Sequence, residues 1–155
     1  MFALSKHFRD EQLGELLRRG HYWKGSLPVP PCGTFGLALA GSREAPDLVG
    51  LALAKELPQR FTSLMSAIQS ALFEHYTPYR EAIDEGRETG SPCPLLVNPE
   101  AVWPHVKPAH ILVEPGGRVA TIEIAFRVAW DIEHTVGARF QEWQFIELNG
   151  SVRAQ

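Results

Sequence analysis

Residues 121–130 read TIEIAFRVAW, and this stretch decides the fold class because its apolar and polar side chains alternate strictly. A period of two is typical of a β-strand that lies with one face on a core and the other toward solvent. The apolar face carries Ile122, Ile124, Phe126, Val128 and Trp130, and the opposite face carries Thr121, Glu123, Ala125 and Arg127.

The same alternation continues on both sides of this strand. Downstream, Val136, Ala138 and Phe140 keep the period, and residues 145–148 supply a last strand after a turn at 141–144. Upstream, residues 109–114 alternate before the turn at Pro115-Gly116-Gly117. These spacings predict a C-terminal meander of antiparallel strands.

The middle of the chain changes to a helical period. Apolar residues recur at steps of three and four through Phe61, Leu64, Met65, Ile68, Leu72 and Tyr76, which predicts a helix with one face on the core. We expect Pro78 to end it, and Pro58 to end or kink a separate helical segment that starts near Pro46. Asn98 and Pro99 predict the start of another short helix.

The N-terminal region combines a predicted helix with a predicted hairpin. Asp10 is suited to an N-cap and Gly20 to a C′ position, so we expect a helix over residues 10–19. Residues 21–29 and 34–40 read as two strands around the Pro-Pro-Cys-Gly turn.

The sequence therefore predicts one α+β domain over residues 1–155. In it an antiparallel sheet, made of an N-terminal hairpin and a C-terminal meander, is packed on one face by a helical layer. The composition of residues 85–94 predicts a loop.

Charge and hydropathy exclude several classes of partner and compartment. The formal net charge of −3 offers no polycationic surface for nucleic acid. No apolar run approaches the length of a membrane helix and no secretion leader is evident, so we expect a cytoplasmic protein with no membrane partner. Cys32 and Cys93 lack metal-site spacing and are expected to be free thiols.

The candidate site is a cluster at the end of the central strand, where Asp131, Glu133 and His134 fall within four positions. One interpretation is structural: Asp131 accepts backbone N–H groups in a hairpin loop, as in an Asx-turn. The other is chemical, since carboxylates beside an imidazole support acid–base catalysis, or metal binding if a distant ligand such as His75 joins them. His75 equally suits the C-terminal turn of its helix.

Other catalytic patterns are missing from the sequence. There is no G-x-S-x-G elbow, no G-x-G-x-x-G and no P-loop, so we predict no cofactor. Trp143, in a predicted turn between Glu142 and Gln144, either folds back onto the sheet or anchors a protein partner.

Residues 130–140, WDIEHTVGARF, resemble the W-D-x-E-H-x-x-G-x-x-F signature of a group of uncharacterised bacterial domains. The resemblance extends weakly to residues 72–76, 102–106 and 145–152. It implies a small α+β protein, and some similar proteins are associated with polymorphic-toxin systems as immunity components. The chain departs from that pattern at Glu142 and Trp143, where a tighter Asp-Gly-like turn would be expected.

Two functional hypotheses follow. The first is a non-enzymatic cytoplasmic binding protein, of the immunity type, that contacts a toxin or partner subunit through Asp131, Glu133, His134 and Trp143. The second is a metal-assisted hydrolase that uses Asp131, Glu133 and His134 with His75. A purely structural network of the three clustered residues is the third possibility.

Overall fold

The computed structural model describes residues 6–87 and 93–153. Its eight strands form one sheet in the order of the sequence. The strands are β1 (His7–Asp10), β2 (Gly14–Arg19), β3 (Tyr22–Val29), β4 (Gly33–Ala40), β5 (Val106–Glu114), β6 (Thr121–Val128), β7 (Asp131–Gln141) and β8 (Gln144–Val152). The long helix α1 (Leu48–Asp84) and a 3₁₀-helix (Pro99–His105) lie in the chain between β4 and β5.

Neighbouring strands pair antiparallel except at the centre, where β4 and β5 run parallel. A parallel pair requires a long crossover connection, and α1 with the 3₁₀-helix provides it. The predicted α+β class and the C-terminal meander are confirmed. The parallel pair at the centre was not predicted, since each half of the sequence by itself indicates only hairpins.

The prediction of a helix over residues 10–19 is wrong. Gly14 and Gly20 both have positive φ and stand at turns, and residues 14–19 form β2. The Asp10 carboxylate accepts the backbone N–H groups of Gln12 and Leu13, at 2.8 and 2.9 Å, inside the β1–β2 turn. An aspartate that accepts nearby amides and a left-handed glycine serve hairpin turns as well as helix ends, so the local signals were ambiguous.

The predicted helix ends at Pro58 and Pro78 are also wrong, because α1 runs through both prolines. Asp47 caps its first turn by accepting the Gly50 N–H at 2.9 Å. One side of the helix is buried along its length, and this packing outweighs the hydrogen bond that each proline removes. The buried helix residues include Leu51, Leu57, Phe61, Leu64, Ile68, Leu72 and Tyr76.

The helices cover one face of the sheet, which we call the core face. Ile122, Ile124 and Phe126 of β6 lie on it and are at most 3 % exposed. The opposite face, the open face, carries Glu123 and Arg127 of the same strand. In the part of the chain that the structure describes, no helix packs on the open face.

Strand β8 runs alongside α1. The Arg60 guanidinium lies 5.0 Å from the centre of the Trp143 ring, before β8, and His75 lies beside Gly150, near its end. Helix and strand therefore advance in the same direction. Asn98 accepts the Ala101 N–H at 3.0 Å at the start of the 3₁₀-helix, which confirms the predicted start of a short helix.

Residues 88–92 of the predicted loop lie outside the described residues. None of the helices within residues 6–87 and 93–153 combines the length with the low polarity that crossing a bilayer requires.

Candidate functional site

The predicted cluster begins directly after the tight turn at Ala129 and Trp130. Val128 of β6 pairs with Asp131 of β7, but the next pair along β6 is Arg127 with Thr135. Residues 132–134 therefore have no partners on β6, and we call them the bulge. Bulges of this kind bend a strand and redirect side chains. Ile132, Glu133 and His134 are all exposed.

Asp131 lies beneath the bulge and is 7 % exposed. Its carboxylate accepts the Tyr79 hydroxyl at 2.5 Å and His134 Nδ1 at 3.0 Å. It also accepts the backbone N–H groups of Glu133 and His134, each at 3.2 Å. The Asx-turn contacts expected of Asp131 are present, and a side chain from α1 completes them. The carboxylate thus fixes the bulge to the helix.

The electrostatics of Asp131 and Tyr79 agree with an ionised aspartate. Burial by itself would raise the pKa of Asp131, but the hydrogen bonds from Tyr79 and His134 outweigh it and hold that pKa below its usual value. Burial, followed by the hydrogen bond to Asp131, raises the pKa of Tyr79 to about 12. Tyr79 therefore remains a protonated donor at neutral pH.

His75 joins the same neighbourhood through Trp130, whose indole N–H donates to His75 Nδ1 at 2.9 Å. An indole is only a donor, so this nitrogen carries no proton and the ring is neutral. Burial lowers the pKa of His75; the charge of Asp131 opposes this shift and that of His134 reinforces it. Trp130 is 3 % exposed, so this bond lies at the edge of the core.

Of the four proposed hydrolase residues, Asp131, Glu133 and His134 line the same two clefts, and His75 lies close enough for the charges of Asp131 and His134 to shift its pKa. In residues 6–87 and 93–153, however, no three His, Cys, Asp or Glu side chains are arranged to hold a metal ion. Asp131 is occupied by internal donors, and His75 Nδ1 by Trp130.

Trp143 lies at the other end of β7, about 30 Å from Asp131 by the rise of an extended strand. Glu142 and Trp143 form the two-residue turn between β7 and β8, both with positive φ. The Trp143 ring is half-buried beneath Arg60 and packs against the core. Trp143 and the bulge therefore do not form one continuous surface.

Sequence reasoning missed Tyr79, Trp130 and Ile132. Tyr79 follows His75 by four positions, which places both on one side of α1, but the expected break at Pro78 hid this relationship. Trp130 was assigned to a strand face, whereas it stands in the turn and donates to the helix. Ile132 is 79 % exposed between two charged residues. The alternating pattern of the sequence did not indicate this exposure.

Two clefts flank the bulge. The helix-side cleft, about 460 Å³, is lined by Pro78, Tyr79, Ala82, Ile83 and Cys93 together with the bulge. The strand-side cleft, about 420 Å³, is lined by Pro104, His105, Lys107 and Arg127 together with the bulge. The bulge is the wall that the two clefts share.

Both cysteines are free thiols, as predicted. Burial raises the pKa of Cys32 to about 11 and raises that of Cys93 as well. A protonated thiol is a weak nucleophile, so the presence of Cys93 in the helix-side cleft does not supply a reactive group.

A family model described as a domain of unknown function, DUF6985, matches residues 13–152, which include every strand from β2 to β8 and the whole site. The chain belongs to the DUF6985 family. This agrees with the resemblance to uncharacterised domains. No curated protein and no solved structure matches the chain.

Proposed function

We propose that this DUF6985 domain is a non-enzymatic protein-binding module whose contact surface is the bulge. The observation that carries the proposal is the exposure of Ile132, 79 %, directly above a buried and fully engaged Asp131. A large apolar side chain held out of the core between two charged neighbours resembles the centre of a protein interface.

The support beneath the bulge favours this function. Bonds from Tyr79 and from two backbone amides hold the segment in one conformation before any partner arrives. A contact surface that is already ordered loses less entropy on binding. The clefts on either side of Ile132 offer room for side chains of a partner.

More specifically, we propose that the module is an immunity-type protein of the bacterial cytoplasm, with a toxin as its partner. Its support is the resemblance of residues 130–140 to domains associated with polymorphic toxins. The acidic side chain of Glu133 suits a basic partner, since complementary charge speeds encounter. A toxin encoded next to this chain is the first partner to test.

The binding hypothesis drawn from the sequence includes Trp143 in the contact surface. Its distance from the bulge means that only a partner spanning about 30 Å would contact both. We therefore propose the bulge residues as the primary contact and Trp143 as a secondary contact of a large partner.

The test asks first whether a toxin gene lies beside the gene of this chain, and then measures the affinity of the purified chain for that toxin. Ile132→Glu and Glu133→Lys are each expected to weaken binding at least tenfold. Leu48→Glu is the matched control, since Leu48 is 80 % exposed at the start of α1. Equal loss in the control, or unchanged affinity in Ile132→Glu, would contradict the proposal.

The metal-assisted hydrolase remains a second candidate because of one observation. His134 Nδ1 lies 3.0 Å from both oxygens of Asp131, and the imidazole is 46 % exposed. An orienting carboxylate behind an accessible imidazole is an arrangement used in general base catalysis. Elemental analysis of the purified chain is the test: a bound divalent metal that is lost on His134→Ala would favour this candidate, and a metal-free protein would oppose it.

A further inference from the structure

The strand-side cleft contains two cations that stand directly opposite each other. Lys107 of β5 and Arg127 of β6 are paired residues in the sheet, and both are exposed. Within the described ranges 6–87 and 93–153, neither forms an ion pair. Like charges at directly opposed positions destabilise a sheet.

Two histidine side chains share this cleft. His105 and His134 line the same cleft as the two cations. The turn after β6 is tied to His105, since the Ala129 N–H donates to the His105 carbonyl at 3.0 Å. The cleft thus collects four nitrogen-bearing side chains around a volume of about 420 Å³.

The two carboxylates of this wall, Asp131 and Glu133, form no ion pair with the two cations in the described part of the chain. Asp131 is engaged by Tyr79 and His134. Glu133 lines both clefts, and within residues 6–87 and 93–153 it forms no ion pair with Lys107 or Arg127. Among the described residues, Lys107 and Arg127 therefore share the cleft with two carboxylates but are paired with neither.

A third cleft, on the open face, differs from the strand-side cleft because its main charged side chains pair with one another. It is about 470 Å³ and is lined by Glu123, Arg139 and Glu147 among others. Arg139 pairs with Glu123 and with Glu147, each at 2.7 Å. Its main charges satisfy one another, so that cleft gives no reason to infer a charged ligand.

We infer that the strand-side cleft binds the phosphate group of a small phosphorylated molecule. A guanidinium donates to two phosphate oxygens at once, and an ammonium adds a point charge. A phosphate held between Lys107 and Arg127 would turn their repulsion into two attractions. The cleft volume is within the range of small-molecule sites, so it admits more than the phosphate alone. This inference does not depend on partner binding at the bulge.

The experiment is an amide NMR titration of the full chain with inorganic phosphate at constant ionic strength. Saturable shifts are expected at Lys107, Arg127 and the bulge. Lys107→Gln and Arg127→Gln should each weaken phosphate binding about tenfold, as expected for a hydrogen bond to a charged group. Arg9→Gln is the matched control, an exposed cation at the distant β1 edge.

A second readout separates a binding role from a structural one. Without phosphate, Lys107→Gln should raise the melting temperature, because it removes a repulsion. With phosphate, the wild type should gain thermal stability and the variant should gain less. Equal shifts with chloride, or equal phosphate affinity in Arg127→Gln and wild type, would overturn the inference. A carboxylate such as acetate binding as tightly as phosphate would overturn its choice of ligand.

Discussion

The two ends of the β7–β8 hairpin differ in what their polar and aromatic residues do. At the end near Asp131, a buried carboxylate gathers donors from a helix and from its own strand, and exposed residues stand above it. At the end near Trp143, two residues with positive φ make the turn, and the indole is covered by Arg60. Asp131 and Trp143, which suggested function in the sequence, are anchors at the two ends, whereas Ile132, Glu133 and His134 are exposed.

The largest expected effect lies at the Asp131 end. Asp131→Ala would leave the Tyr79 hydroxyl and two backbone amides without their acceptor, which should cost about 3 kcal/mol of unfolding free energy. Urea unfolding of purified protein measures it. Glu133→Ala, two residues away and exposed, should change stability by less than about 0.5 kcal/mol. Comparable losses in the two variants would remove the distinction between anchor and displayed residue.

The Trp143 end should give the next largest effect. Trp143→Ala removes a half-buried ring and its contact with the Arg60 guanidinium, at a cost of roughly 2 kcal/mol. A double-mutant cycle with Arg60→Ala should give a coupling of about 0.5 kcal/mol or more. Zero coupling would mean that the ring packs on the sheet without help from the cation.

The His75–Trp130 hydrogen bond at the Asp131 end is expected to make stability depend on pH. The folded-state pKa of His75 lies below its ordinary value, mainly through burial, so the unfolded chain binds a proton more readily. Its stabilising contribution is present above pH of about 6.5 and is lost as pH falls through the lower folded-state value.

We expect the free energy of unfolding to fall between pH 8 and pH 5, measured by urea unfolding at each pH. His75→Gln keeps an acceptor for the Trp130 indole and does not titrate, so its stability profile should be flatter. An identical slope in His75→Gln would assign the pH dependence to other groups.

The smallest expected effect is a gain in stability. Glu142 has a φ of 49°, a conformation that glycine adopts without steric cost and that suits the first position of a tight hairpin turn. Glu142→Gly should stabilise the chain by about 0.5 kcal/mol. The melting temperature reports the change, and a fall would show that the Glu142 side chain makes a contribution larger than its strain.

The fold was predictable where one signal dominates. Strict alternation identified β6 and the C-terminal meander, and the apolar stripe identified the helix around Phe61 to Tyr76. The errors arose where one residue type serves two structures, as at Asp10 and Gly20, or where packing outweighs a local preference, as at Pro58. The parallel β4–β5 pair depends on how α1 crosses the sheet, which no local pattern contains.

The sequence indicated which residues cluster at the site, but it indicated less about how they are arranged in space. The turn chemistry of Asp131 follows from its position after a strand, and it is present. The approach of His75 requires a contact over 55 residues, and the role of Tyr79 requires one over 52 residues. Such contacts depend on the tertiary fold, so the sequence named His75 only as one alternative and did not indicate Tyr79.

The most direct test of the account is hydrogen exchange at the backbone amides of Glu133 and His134. The account predicts that both exchange slowly in the wild type, because the Asp131 carboxylate accepts them, and at least tenfold faster in Asp131→Ala. Unfolding measured in parallel shows whether the acceleration is local. Equal exchange rates at these two amides in both proteins would contradict the claim that Asp131 holds the bulge in place.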